Sequence, residues 1–175
     1  MATRTRVRLR KVTVADAELL DLWRTPEYKG EFNDFGIPSR PARPLIEKNG
    51  MLGEDDGTLI VEVKAGGRPV GAVSWRSVRY GPNPESRAWN IGIILAPDER
   101  GRGFGTQAQR MLAEFLFANT PVNRVEAITD VENTAEQRSL ERAGFRREGV
   151  LRGAQFRAGR WRDLVVYAVV RPAPE

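Results

Sequence analysis

Three glycines alternate with charged and aromatic residues in RGRGFG, Arg100 to Gly105, and a helix pattern starts immediately after them. Glycine lets a backbone approach phosphate oxygens closely, and the unpaired N–H groups at a helix start point outward to receive them. This spacing at a strand-to-helix junction therefore suits an anion. Arg100 and Arg102 add positive charge. The helix dipole contributes only about 0.3–1 kcal/mol at an exposed site, so recognition must rest on the N–H groups and the arginines. A dinucleotide fingerprint needs GxGxxG and a Walker loop ends in GK[ST]. The spacing here is GxGxG with no Gly-Lys dipeptide, which sets both aside. A glycine-rich turn that merely caps the helix is the alternative.

The rest of the composition narrows the chemistry. Cysteine and histidine are both absent, which removes disulfides, thiolate nucleophiles, histidine bases and nearly every zinc or haem site, so no metal is expected. Net charge is +5, and 24 of the 28 basic residues are arginines scattered along the chain. Such a surface attracts a small polyanion such as coenzyme A, binds nucleic acid, or is simply basic. No basic-aromatic recognition motif supports nucleic acid. The longest apolar run, Leu164 to Val170, is far short of the roughly 20 residues of a membrane helix, so a soluble protein is expected. A cysteine-free chain agrees with a cytoplasmic location.

Elements that would position the loop can be read from periodicity. Val7 to Val12 alternates as a half-buried strand, Thr13 and Asp16 form a capping-box pair, and Leu19, Leu20, Leu22 and Trp23 supply the apolar side of a first helix. Thr25 to Gly57 is irregular, with one short helix expected near Leu45 to Met51. Leu59 to Ala65 and Pro69 to Tyr80 form a hairpin around Gly66-Gly67. Ala88 to Leu95 reads as a buried central strand. After the loop, Phe104, Ala108, Met111, Leu112, Phe115 and Leu116 recur at helical spacing. A strand over Val122 to Val131, a helix over Thr134 to Ala143 and strands over Phe145 to Leu151 and Arg162 to Val170 complete the order. One domain over residues 1–175 is expected, a mixed α/β fold with a mostly antiparallel sheet of six to seven strands and helices on both faces.

Placed on those elements, APDERGRGFGTQAQRML resembles the Q/R-x-x-G-x-G/A coenzyme A loop and following helix of the GNAT acetyltransferases. Further on, NTAEQRSLERAGF, Asn133 to Phe145, resembles the family's second signature, an Asn that opens a helix and a Glu-Lys/Arg-x-Gly-Phe end. The likeness is clearest from Trp89 to Val170 and nearest to the branch of ribosomal-protein N-terminal acetyltransferases. It implies the GNAT fold and acetyl transfer from acetyl-CoA to a primary amine of a peptide or small molecule. It also implies that Ile94, Leu95 and Ala96 offer backbone groups to the pantetheine arm. Arg100, Gly101, Arg102, Gly103, Phe104, Gly105 and Thr106 would hold the pyrophosphate, Asn133 would face the coenzyme arm, and Arg142 matches a position near the adenosine phosphates.

Direct attack of an amine on the thioester is the implied reaction, and it needs no cysteine. Proton-transfer groups are harder to name. Where many relatives carry Glu, two residues before Gly92, this chain has Asn90, which is no base but could hold a water. The family's tyrosine falls at Leu140 and its serine at Glu136, which also occupies a capping-box position. Asp130 and Glu85 are candidate bases acting through water, weighed against surface carboxylates without a role. Trp75, Tyr80, Trp89, Phe32 and Phe35 are candidates for an acceptor pocket, and Glu31 and Asp34 would favour a cationic acceptor. The departures at Asn90, Leu140 and Glu136 leave open an acyl-CoA-binding sensor with weak catalysis. The apolar final strand and the RPAPE segment are a candidate homodimer contact.

Overall fold

The computed structural model describes residues 6–172. Seven strands, β1 (Val7–Lys11), β2 (Asp56–Val63), β3 (Pro69–Arg79), β4 (Arg87–Leu95), β5 (Arg124–Asp130), β6 (Arg146–Arg157) and β7 (Arg160–Val170), form one sheet in the order β1-β2-β3-β4-β5-β7-β6. Every neighbouring pair is antiparallel except β4 and β5. A parallel pair requires a crossover, and helix α4 (Phe104–Asn119) supplies it. Helices α1 (Ala17–Trp23), α2 (Pro26–Lys29), α3 (Ala42–Asn49) and α5 (Thr134–Ala143) complete the set.

The β4–β5 ladder is short. Its last pair is Ile91 opposite Ala127. Beyond it, Gly92 to Leu95 stay paired with β3, while Ile128 to Asp130 stay paired with β7. The sheet opens there into a fork.

Alternation along the strands sends side chains to two cores. Val73, Trp89, Ile91, Val125, Ala127 and Tyr167 pack on one face against Leu112 and Leu116 of α4 and Leu140 of α5. On the other face, Ile60 and Ala72 meet Leu20 and Trp23 of α1 and Ile46 of α3. Fully burying a Leu or Ile side chain stabilises by about 1.5–3 kcal/mol, so these contacts clamp the helices on both sides of the fork.

Several details differ from expectation. Leu22 is 43% and Phe115 37% exposed, because each lies off the buried stripe of its helix. The helix expected near Leu45 begins earlier, at Ala42, and ends at Asn49, where Gly50 and then Met51 take positive φ. Pro26 starts an extra single turn, α2, its fixed φ suiting a first helical position. β6 extends to Arg157, past a register shift between Leu151 and Gln155 that interrupts strict alternation. It turns into β7 through Ala158 and Gly159, both at positive φ, the geometry of a tight two-residue hairpin. β7 lies between β5 and β6, so neither of its edges is free, and of the RPAPE segment residues 173–175 lie outside the described residues.

Candidate functional site

Gly101 and Gly103 carry φ of 72° and 78°, the left-handed region that side-chain-bearing residues avoid, and Gly103 is the residue from which α4 starts. No side chain caps this helix. The first-turn N–H groups of Phe104, Gly105 and Thr106 have no intrahelical acceptor, and Gly103, Gly105 and Thr106 border the same opening as Ile93 to Leu95 at the fork. An anion at this point completes them.

The fork and helix start form one wall of a cleft of about 790 Å³. Ile93 to Leu95, Arg100, Gly101, Gly103, Gly105 and Thr106 line one side, Asn133, Glu136, Arg138 and Arg142 line another, and Lys29 to Asn33 line a third. Four cationic side chains, Lys29, Arg100, Arg138 and Arg142, thus border a long hollow whose floor is aliphatic. A phosphate-bearing molecule with a narrow apolar arm fits that combination.

α4 and α5 are joined inside the cleft by a run of polar side chains. Thr106 Oγ1 lies 3.1 Å from Ser139 Oγ, Ser139 donates to Gln109 Oε1 at 3.0 Å, and Gln109 Nε2 donates to Glu136. Burial pushes the Glu136 carboxyl up to about 6, against the opposing effect of the Gln109 hydrogen bond. Asn133 caps α5 by accepting from the Glu136 N–H at 3.2 Å. The reciprocal half of a capping box is absent, because the Asn133 N–H goes to the Asp130 carbonyl and the Glu136 carboxylate goes to Gln109. Glu136 is therefore free of the structural role its spacing suggests.

Of the residues expected at the coenzyme site, Ile94, Leu95, Arg100, Gly101, Gly103, Gly105, Thr106, Asn133 and Arg142 come together around this cleft. Three do not contribute as expected. Ala96 has both backbone groups engaged, its N–H with Val70 O at 3.0 Å and its carbonyl with Glu99 N at 2.9 Å. Arg102 turns away to Glu99 at 2.9 Å and stacks over Phe104. The Phe104 ring is buried in the core, leaving only its N–H for the site. Arg138, Ser139 and Gln109 were missed. Arg138 sits one turn before Arg142 on the same helix face, and Gln109 is a lone amide among apolar positions of α4.

The expected proton-transfer residues are corrected. Glu85 is exposed, in a single 3-10 turn at Pro84–Ser86, and lines a separate groove with Tyr80, Arg124 and Glu148. None of the glycine-loop residues borders that groove. Asp130 is buried against Arg157 at 2.5 Å and also accepts from Glu132 N at 2.8 Å. Burial raises the Asp130 pKa, but these donors outweigh it and hold the carboxyl below its usual value, which makes it a poor base. Asn90 is buried and donates to Glu126 at 3.4 Å, at the closed end of the fork. Glu126 in turn accepts from Tyr80 at 2.5 Å and Arg124 at 2.8 Å and is only 1% exposed. Trp75 and Trp89 belong to the core. Phe32 does line the cleft, whereas Phe35 is exposed elsewhere.

Comparison with known proteins adds independent weight. Residues 6–146 match the acetyltransferase (GNAT) domain family. The chain is 26% identical over 171 residues to the uncharacterized N-acetyltransferase p20 of Bacillus licheniformis, which spans 95% of this chain and 93% of that protein. The spermidine N-acetyltransferase of Vibrio cholerae, solved with CoA and spermine, aligns with a TM-score of 0.80 at 20% identity over 95% of this chain and 96% of that one. RimL, a ribosomal L7/L12 alpha-N-protein acetyltransferase solved with coenzyme A, aligns with a TM-score of 0.77 at 18% identity over 95% and 94%. At such identities the two structures establish a shared fold. With the family match covering β1 to β5, the glycine loop and α5 together, the chain belongs to the GNAT family and is an N-acetyltransferase.

Proposed function

We propose that the cleft binds acetyl-CoA and that the protein transfers its acetyl group directly to a primary amine. The observation that carries this reading is the junction of the uncapped α4 start with the β4–β5 fork. There, free N–H groups meet an opening between strands long enough for an extended arm. In this reading the N–H groups of Phe104, Gly105 and Thr106 take the pyrophosphate. Arg138 and Arg142 lie along α5 toward the nucleotide end, and the separated edge of β4 from Gly92 to Leu95 holds the pantetheine arm. Orientation of the two reactants and polarisation of the carbonyl by a strand N–H then supply most of the rate.

The new bond joins the amine nitrogen to the acetyl carbon while the carbon–sulfur bond breaks; the amine loses a proton and the departing thiolate gains one. We assign the second proton to Glu136. Its carboxyl borders the cleft and is raised to about 6, within reach of protonation near neutrality and acidic enough to protonate a thiolate of ordinary pKa, about 8.5. Calorimetric titration with acetyl-CoA tests the site: saturable binding at micromolar to low millimolar coenzyme is expected. No binding would overturn the reading.

A further inference from the structure

A smaller hollow of about 210 Å³ lies on the sheet face opposite α4 and α5, where β4 leaves β5. Its floor is a row across three strands, because Thr58 pairs with Ser74 and Ser74 with Gly92. Arg24 at the end of α1, Lys29 and Asn33 form the walls. Lys29, Asn33, Ile93 and Ile94 border this hollow and the coenzyme cleft alike, so the two adjoin where β4 leaves β5.

No carboxylate lines this hollow, yet two cations do. Arg24 is half-buried, and burial lowers its pKa with only the charge of Asp21 opposing. Among the described residues no acidic side chain forms an ion pair with it. Arg24 and Lys29 also border an adjoining outer hollow together with Asp21 and Asp34, whose carboxylates accept from Ala42 N at 2.8 Å and from Gly36 N at 3.0 Å. Among the described residues the Lys29 ammonium donates only to the Ser39 hydroxyl, at 3.0 Å. Glu31 and Glu136 face the coenzyme cleft. A guanidinium withdrawn from water without a partner is costly, and a carboxylate from outside would complete it with two parallel hydrogen bonds. A polyamine would instead bring further positive charge toward Arg24 and Lys29.

We infer that the acceptor is a small amine that also carries a carboxylate, of the free amino-acid type, with the carboxylate held by Arg24 and Lys29 and the amine directed past Gly92 to the acetyl carbon. Water occupies about 30 Å³ per molecule in the liquid, so the hollow has room for a group of several heavy atoms such as a carboxylate and its Cα. This inference rests on the transferase reading and replaces the expectation of a cationic acceptor drawn from Glu31 and Asp34.

The experiment measures thiol release from acetyl-CoA with free amino acids, their carboxamides and spermidine, on the wild type, Arg24→Met and Lys29→Met. Acetyl-CoA binding is checked by calorimetry for each protein. The expected result is turnover of one or more free acids. Their kcat/KM should exceed that of the matching amide and fall roughly 10- to 100-fold in Arg24→Met, mainly through KM, while coenzyme affinity holds. Lys29→Met should reduce the same acid-to-amide ratio and guards against a folding defect in the first variant. Equal or better turnover of amides or spermidine, no turnover of any free acid while acetyl-CoA binds, or an unchanged ratio in both variants overturns the acceptor class and leaves the transferase reading standing. Failure of the wild type to bind acetyl-CoA overturns both.

Discussion

Asp130 at the end of β5 and Arg157 at the β6 end of the hairpin meet at 2.5 Å, with side-chain exposures of 1% and 2%. Arg157 also donates to the Phe32 carbonyl at 3.4 Å and lies over the Phe32 ring. One buried ion pair thus ties the hairpin to both the fork and a segment that lines the cleft. Removing one partner of such a pair leaves an uncompensated charge. Asp130→Asn should therefore lose about 3–5 kcal/mol in urea denaturation at pH 7. Because the folded Asp130 pKa is depressed, its contribution is present above the unfolded value near 3.9 and disappears as pH falls through the folded one. The gap between the wild type and Asp130→Asn should begin to narrow as pH falls below the unfolded value and go on narrowing toward the lowered folded one, and a gap that stays constant through the acid range would refute this account.

Gly103 stands at φ 78° at the start of α4, and forcing a side chain into that region costs about 1–2 kcal/mol. Gly103→Val should weaken acetyl-CoA binding at least tenfold by calorimetry, by roughly the free energy of one lost charge-assisted hydrogen bond, and should leave the circular dichroism spectrum intact. Wild-type affinity in a folded variant would remove the loop from the site.

Arginines near the loop divide into two kinds. Arg102 is paired with Glu99, so Arg102→Met should change acetyl-CoA affinity by less than about threefold, the scale of an exposed ion pair. Arg138→Met and Arg142→Met together should cost about tenfold or more and flatten the salt dependence of binding. The reverse ranking, read from titrations at two salt concentrations, would misplace the nucleotide end.

Glu136 sets a pH signature. Its protonated fraction falls about tenfold per unit above pH 6, while the neutral fraction of an amine acceptor rises about tenfold per unit up to the amine pKa. The product is flat, so wild-type kcat/KM should plateau between about 6 and the amine pKa. In Glu136→Gln only the amine term survives, and the profile should climb with unit slope across that range from a lower rate. A plateau that persists in the variant would exclude Glu136.

Stability gives a second readout of the same group. A carboxyl with a raised folded pKa is destabilising when charged, above its folded pKa, and neutral in effect below the unfolded value. Glu136→Gln should raise Tm at pH 8 and leave it unchanged at pH 4, as followed by thermal denaturation.

Much of this site is legible in the sequence because backbone demands leave marks. Gly101 and Gly103 stand where positive φ is required, and Asn133 caps α5 as its type and position suggest. What stays hidden is where side chains turn. Nothing local to Arg102 shows that Glu99 will neutralise it, since Glu99 is also held by Arg68 from another strand region. Asp130 looks like an exposed strand end until Arg157, 27 positions later, buries it. Arg24 reads as a helix-end cation, and only the register of Thr58, Ser74 and Gly92 places it over a hollow.

The polar run from Thr106 to Glu136 also has a direction. Gln109 gives its amide N–H to the Glu136 carboxylate, so its oxygen must accept from Ser139, and Ser139, with its only proton spent, must accept from Thr106. The Thr106 hydroxyl then turns its lone pairs, not its proton, toward the phosphate site. When Glu136 takes up a proton, its carboxyl keeps an acceptor oxygen for Gln109 and gains a donor of its own, so the run is no longer held to this one direction. The charge on a carboxylate at one end of the run thus fixes the orientation of the Thr106 hydroxyl at the other, beside the proposed phosphate site.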